Sequence, residues 1–108
     1  MKYSIFLLVL FLCVSALGQG YKPPSGFVPD SKTAVKIAEA VLMPVYGEKQ
    51  IESERPFIAK LRGNIWTVSG TLRCSDGKGG TTTACDGGTA EVRIAKDNAR
   101  ILSMIHYE

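Results

Sequence analysis

Three groups of side chains in this chain are of types that do chemistry. Cys74 and Cys85, ten residues between them, can pair, bind metal or act as thiols. His106 is the single histidine, which excludes any mechanism needing two imidazoles. As a general base it needs a nucleophile or an orienting carboxylate, and with only Glu108 nearby in sequence it completes no known arrangement. The plain reading is a strand-end imidazole at the sheet surface. Gly77-Lys78-Gly79-Gly80-Thr81 looks faintly like a phosphate loop. It lacks the opening glycine and the Gly-Lys-Ser/Thr ending that runs into a helix. Asp76 and Asp86 flank that loop and together suit Ca²⁺, but they lack the spacing of an EF-hand. A solvated loop accounts for both aspartates. No catalytic constellation is complete, so neither enzyme activity nor a cofactor is expected.

The chain is one small domain's worth, 108 residues with 45% hydrophobic and 21% charged, near the average of a soluble globular protein. Thirteen basic residues against 10 acidic leave +3, too small a surplus to imply nucleic acid. Residues 1–18 read as a secretory signal. Lys2 is followed by an apolar run from Ile5 to Val14, then by Ala16-Leu17-Gly18 with small residues at the cleavage positions. The run is shorter than the roughly 20 residues that span a bilayer, so no membrane attachment is expected after cleavage. An exported chain, periplasmic or secreted, changes the meaning of its cysteines. Cys13 departs with the signal, leaving Cys74 and Cys85 as an even pair in an oxidising compartment. A disulfide is expected ahead of free thiols or a metal site, since the spacing is not Cys-x-x-Cys and no histidine lies near. Closing so short a loop contributes about 3 kcal/mol to a domain otherwise marginal on burial alone.

The elements that must position these residues follow from periodicity. Residues 19–28 form a flexible Gly- and Pro-containing leader, and 29–108 the domain. Asp30 or Ser31 caps a helix whose Ala34, Ile37, Ala38, Val41 and Leu42 make one apolar stripe. Pro44 is expected to stop it. Glu48 to Glu54 is a polar connector. From Arg55 the period is two. Strands 56–62 and 64–73 are joined at Gly63-Asn64, setting Arg62 opposite Ile65, Lys60 opposite Thr67 and Ile58 opposite Ser69. A second pair, 89–96 and 99–107, turns at Asp97-Asn98, with Ile94 opposite Ile101, Val92 opposite Ser103 and Ala90 opposite Ile105. The fold class is α+β: one N-terminal amphipathic helix on a curved four-stranded antiparallel sheet. The helix stripe and the apolar sheet face bury one another, with Phe57, Leu61, Trp66, Val92, Ile94, Ile101 and Ile105 in the core. Lys60, Arg62, Thr67, Glu91 and Arg93 fall on the opposite face. Mixed charge there suits protein recognition better than a polyanion.

Val28-Pro29-Asp30-Ser31-Lys32-Thr33-Ala34, Ile37-Ala38-Glu39-Ala40-Val41 and Pro44-Val45-Tyr46-Gly47 resemble the opening of the nuclear transport factor 2 fold immunity proteins of bacterial polymorphic toxin systems. The resemblance continues through Pro56-Phe57, Asn64 to Leu72 and Gly87 to Ile94, and ends at His106. It implies a helix against a curved antiparallel sheet, and a protein that binds and blocks a cognate toxin or enzyme. The Cys74–Cys85 loop is longer than the resemblance leads one to expect. On this reading the partner meets Lys60, Arg62, Thr67, Glu91 and Arg93 together with that loop. The alternative is a small-ligand module of the cell envelope, with Trp66, Tyr46 and Phe57 lining a pocket between helix and sheet.

Overall fold

The structure is a computed structural model that describes residues 18–83, 85 and 87–108. The signal read at 1–18 lies, but for Gly18, outside the described residues. Helix α1 spans Ser31–Tyr46. Asp30 caps it, its Oδ1 accepting from the Thr33 N–H at 2.8 Å. Ala34, Ala38 and Leu42 are fully buried, with Ile37 and Val41 packed beside them. The helix does not stop at Pro44 but continues to Tyr46. Proline's ring and Ala40, whose carbonyl it leaves without a helix partner, both lie on the exposed side of the helix, open to solvent, so the lost bond costs little. Gly47, at a positive φ of 97°, ends α1. The connector 48–54 is itself mostly helical, α2 at Glu48–Ser53, anchored by buried Ile51.

Strands β1 (Ile58–Arg62), β2 (Ile65–Ser69), β5 (Ala90–Ala95) and β6 (Ile101–His106) form one antiparallel sheet in the order β1-β2-β5-β6. Strands β3 (Cys74–Ser75) and β4 (Thr81–Thr82) make a separate two-stranded ribbon. The fold is therefore α+β, a helix on a four-stranded antiparallel sheet. The β1–β2 register is the expected one: Arg62 opposite Ile65, Lys60 opposite Thr67, Ile58 opposite Ser69. Gly63 alone has positive φ at this turn, which makes it type II′.

The β5–β6 register departs from expectation after its first pair. Ile94 meets Ile101, but Val92 meets Met104 and Ala90 meets His106. Leu102 is the extra residue of a β-bulge. It carries Met104 and His106 to the helix side and Ile105 to the other, where Ile105 is 43% exposed. Ile105 is thus not in the core; Met104 takes its place. The connection is five residues, Lys96 to Arg100, rather than the two of Asp97-Asn98. Ala99 sits at φ 63° and donates to the Ala95 carbonyl at 2.9 Å.

Val28, Phe57, Trp66, Val68, Ala90, Val92 and Ile94 are buried, and Ile101 packs partly buried against them. Leu61 is 42% exposed, a second correction. It pairs with Trp66 but stands near the hairpin tip of an edge strand, with no outer strand to cover it. The leader is held at its end. Phe27 and Val28 donate to the Asp97 and Lys96 carbonyls, both at 3.0 Å. Val28 is fully buried, and its carbonyl accepts from Trp66 Nε1 at 2.8 Å. Gly26 lies so close to the Lys96 carbonyl that a Cβ would stand 2.5 Å from it.

Candidate functional site

Because side chains alternate along a strand, the register that buries Trp66, Val68, Val92 and Ile94 turns Lys60, Thr67, Glu91 and Arg93 to the other face. A depression of about 400 Å³ lies there, lined by Ile58, Lys60, Arg62, Thr67, Ser69, Gly70 and Glu91. Four of the five residues anticipated on this face therefore converge. Arg93 stands beside Thr67 and Ser103 in register, on the same face but outside the rim. Glu91 is held: its Oε2 accepts from the Tyr107 hydroxyl at 2.9 Å and its Oε1 lies 3.5 Å from Ser69 Oγ. The bond to Glu91, and its charge, push the Tyr107 phenol above its ordinary range. Lys60, Arg62 and Arg93 make no ion pair among the described residues. With Ile58 and Ile105 both about half exposed, the face combines free cations, one fixed carboxylate and apolar ground. Such a surface has the make-up of a protein-recognition face, and among the described residues its lining offers no nucleophile–base pair.

Cys74 and Cys85 are joined in a disulfide, their Cα atoms 6.5 Å apart. The loop, with the β3–β4 ribbon, lies in the chain between β2 and β5. Asp76 is not poised for a cation. Its Oδ1 accepts from the Lys78 N–H at 2.7 Å and the Gly80 N–H at 3.0 Å, and these bonds hold the carboxyl below its usual range. Asp86 lies outside the described residues. Among the described residues no three His, Cys, Asp or Glu side chains cluster as for a metal.

Trp66 and Phe57 are core residues, and the Trp66 indole N–H is spent on Val28. Tyr46 is half-buried elsewhere, its ring 5.3 Å from that of His106. Tyr46 lines a depression beside His106 and Phe57 lines grooves on α1.

A model of the family described as NTF2 fold immunity protein matches residues 33–108, from the first turn of α1 to the end of the chain. This chain belongs to the NTF2 fold immunity protein family. No curated protein and no solved structure matches it. The matched span takes in the helix, all four strands and the disulfide loop. As a member of an immunity protein family, its general role is to neutralise a toxin.

Sequence reasoning missed one polar cluster in this immunity protein. Glu54 is the buried charged residue among those described, 5% exposed. Its carboxylate accepts from the Ala90 N–H at 2.6 Å and Gln50 Nε2 at 3.0 Å, and lies 3.1 Å from His106 Nε2. Burial pushes the Glu54 carboxyl up; the Ala90, Gln50 and His106 contacts outweigh that and hold it below its usual range. The Glu54 backbone carbonyl accepts from Thr71 N–H at 2.7 Å. Gly70 is needed here, because a Cβ would lie 3.0 Å from Glu54 Cβ. One side chain thus ties α2 to the beginning of β5 and the end of β6. His106 is not a solvated surface imidazole but its half-buried partner, put there by the Leu102 bulge. The only advance signal was a carboxylate ending a helical segment beside an apolar run, which is common on solvated surfaces.

Proposed function

We propose that this immunity protein is exported and neutralises its toxin stoichiometrically, by laying its uncovered sheet face over the toxin and blocking it sterically. The observation that carries this reading is the depression lined by Lys60, Arg62, Thr67 and Glu91, on a face that no helix of the described residues covers. Exposed Ile58 and Ile105 supply apolar area at its border, as the centre of a protein interface requires. The unpaired cations give it a charge to match. The disulfide-closed loop between β2 and β5 is already constrained, so ordering it on binding costs little. That disulfide also favours an oxidising compartment, in agreement with the signal read at 1–18.

The experiment is co-expression with the product of the adjacent reading frame, directed to the same compartment. Export of the wild-type chain rescues growth, and mass spectrometry of the recovered protein finds it beginning after Gly18. Reversing Lys60 and Arg62 together to Glu abolishes rescue while thermal unfolding is unchanged. Killing that persists beside a correctly exported, folded chain overturns the reading. Rescue undiminished by the double reversal shifts the interface away from this face.

A further inference from the structure

The sheet has two outer edges, β1 and β6, and they are built differently. β6 is interrupted by the bulge at Leu102, a device that twists an edge away from further pairing. β1 pairs with β2 over all five residues without interruption. The type II′ turn makes Arg62 and Ile65 a hydrogen-bonded pair, and such pairs alternate along an antiparallel ladder. Ile58, Lys60 and Arg62 therefore point their backbone groups at β2, and Ala59 and Leu61 point theirs outward. The far side of β2 agrees. Lys96 N–H donates to the Asn64 carbonyl at 2.8 Å and Gly70 N–H to the Ala90 carbonyl at 3.1 Å, so the even-numbered residues of β2 serve β5 and the odd ones β1. Among the described residues, no hydrogen bond engages the outward N–H and C=O groups of Ala59 and Leu61.

Beside this open edge runs a groove of about 480 Å³ between α1 and β1. It is lined by Val35, Phe57 and Ala59, by Lys32 and Lys36, and by Glu39, whose carboxylate Arg55 holds at 2.7 Å. Ile58 lines both this groove and the depression on the outer face. An added strand would straddle β1, with alternate side chains over the groove and over Lys60 and Arg62. Cations flank the edge on both sides, and none of these four makes an ion pair among the described residues.

We propose that the β1 edge takes an extended, acidic segment of the partner as a fifth strand, by main-chain pairing to Ala59 and Leu61. Charge selects this occupant over a second copy of the chain. Antiparallel self-pairing sets Lys60 and Arg62 against Lys60 and Arg62 of the copy on one face, which is unfavourable for like charges across a ladder. An acidic strand meets Lys32 and Lys36 on one face and Lys60 and Arg62 on the other, while the carboxylates lining these faces, Glu39 and Glu91, are already engaged by Arg55 and Tyr107. The proposal rests on the reading that the protein works by binding its toxin, and adds which backbone the toxin engages.

The test uses the disulfide-intact, isotope-labelled chain and two short synthetic peptides, one alternating Glu and Val, the other alternating Lys and Val. With the acidic peptide, amide exchange at Ala59 and Leu61 slows by about tenfold or more; with the basic peptide it does not change. Leu61→Pro removes an outward N–H while sparing the bonds to β2 and abolishes the protection. Should that variant fail to fold, reversing Lys32 and Lys36 to Glu on exposed helix positions weakens the same protection. Unchanged exchange at Ala59 and Leu61, equal response to both peptides, or a dimer in sedimentation that protects the same amides overturns the proposal. Rescue from the toxin by folded Leu61→Pro as complete as by wild type refutes the edge and leaves the immunity reading standing. Failure of the wild type to rescue removes that reading itself.

Discussion

The two faces of one sheet carry opposite chemistry along the same strands. In β2, Trp66 and Val68 are buried beneath α1, while Thr67 and Ser69 between them border an open depression. In β5, Ala90, Val92 and Ile94 are buried, and Glu91 and Arg93 look out. The covered face is bound by dispersion and apolar burial, so small volume changes there cost stability. The open face is bound by little, and changes there cost almost nothing until a partner arrives. Core and open surface are thus separated by a single-residue step along a strand.

The strongest way to break the comparison is Trp66→Ala. It empties the core and strands the Val28 carbonyl, and about 3–5 kcal/mol is lost, measured by urea unfolding. A loss that large leaves a domain of this size near its folding limit. The second is the double change of Cys74 and Cys85 to Ser. It lowers stability by about 2–3 kcal/mol through the unfolded chain, with β1, β2, β5 and β6 keeping their amide protection. An equal loss from α1 would show the loop to be part of the core unit.

Glu54→Gln comes third, at about 1–3 kcal/mol, and it sharpens the comparison with a pH dependence. The folded Glu54 carboxyl titrates below its unfolded value of 4.5. Its contribution is therefore present above that pH and is lost as pH falls through the lower folded value. Acid titration of stability is steeper in the wild type than in Glu54→Gln below about pH 4.5; parallel curves would deny Glu54 this role. The smallest effect is on the open face. Thr67→Ala and Arg93→Ala each shift stability by no more than about 0.5 kcal/mol, read from thermal midpoints. A larger loss from either would mean that this face is also structural.

Most of the scaffold was legible because its signals are local. The stripe from Ala34 to Leu42 needs only the 3.6-residue period, and the β1–β2 register needs only the turn at Gly63-Asn64 and the alternation on either side. The grouping of Lys60, Arg62, Thr67 and Glu91 was legible for the same reason. Leu61 was misplaced because alternation assigns a face but does not say whether a strand lies at the edge. The end of the leader was read as free because nothing near Gly26 announces the Lys96 and Asp97 carbonyls to which the backbone binds.

What the chain's order of residues determined by itself is the helix, the first hairpin and the division of each strand into apolar and polar sides. Backbone sterics and side-chain periodicity act over a few residues, and their outcome can be read without knowing the neighbours. What tertiary structure decided is the bulge at Leu102, the burial of Glu54 against Ala90 and His106, and the passage of α1 through Pro44. Each depends on which distant group is present to accept or donate a hydrogen bond, or on whether water is. Glu54 and His106 lie 52 residues apart, and no local pattern encodes that meeting.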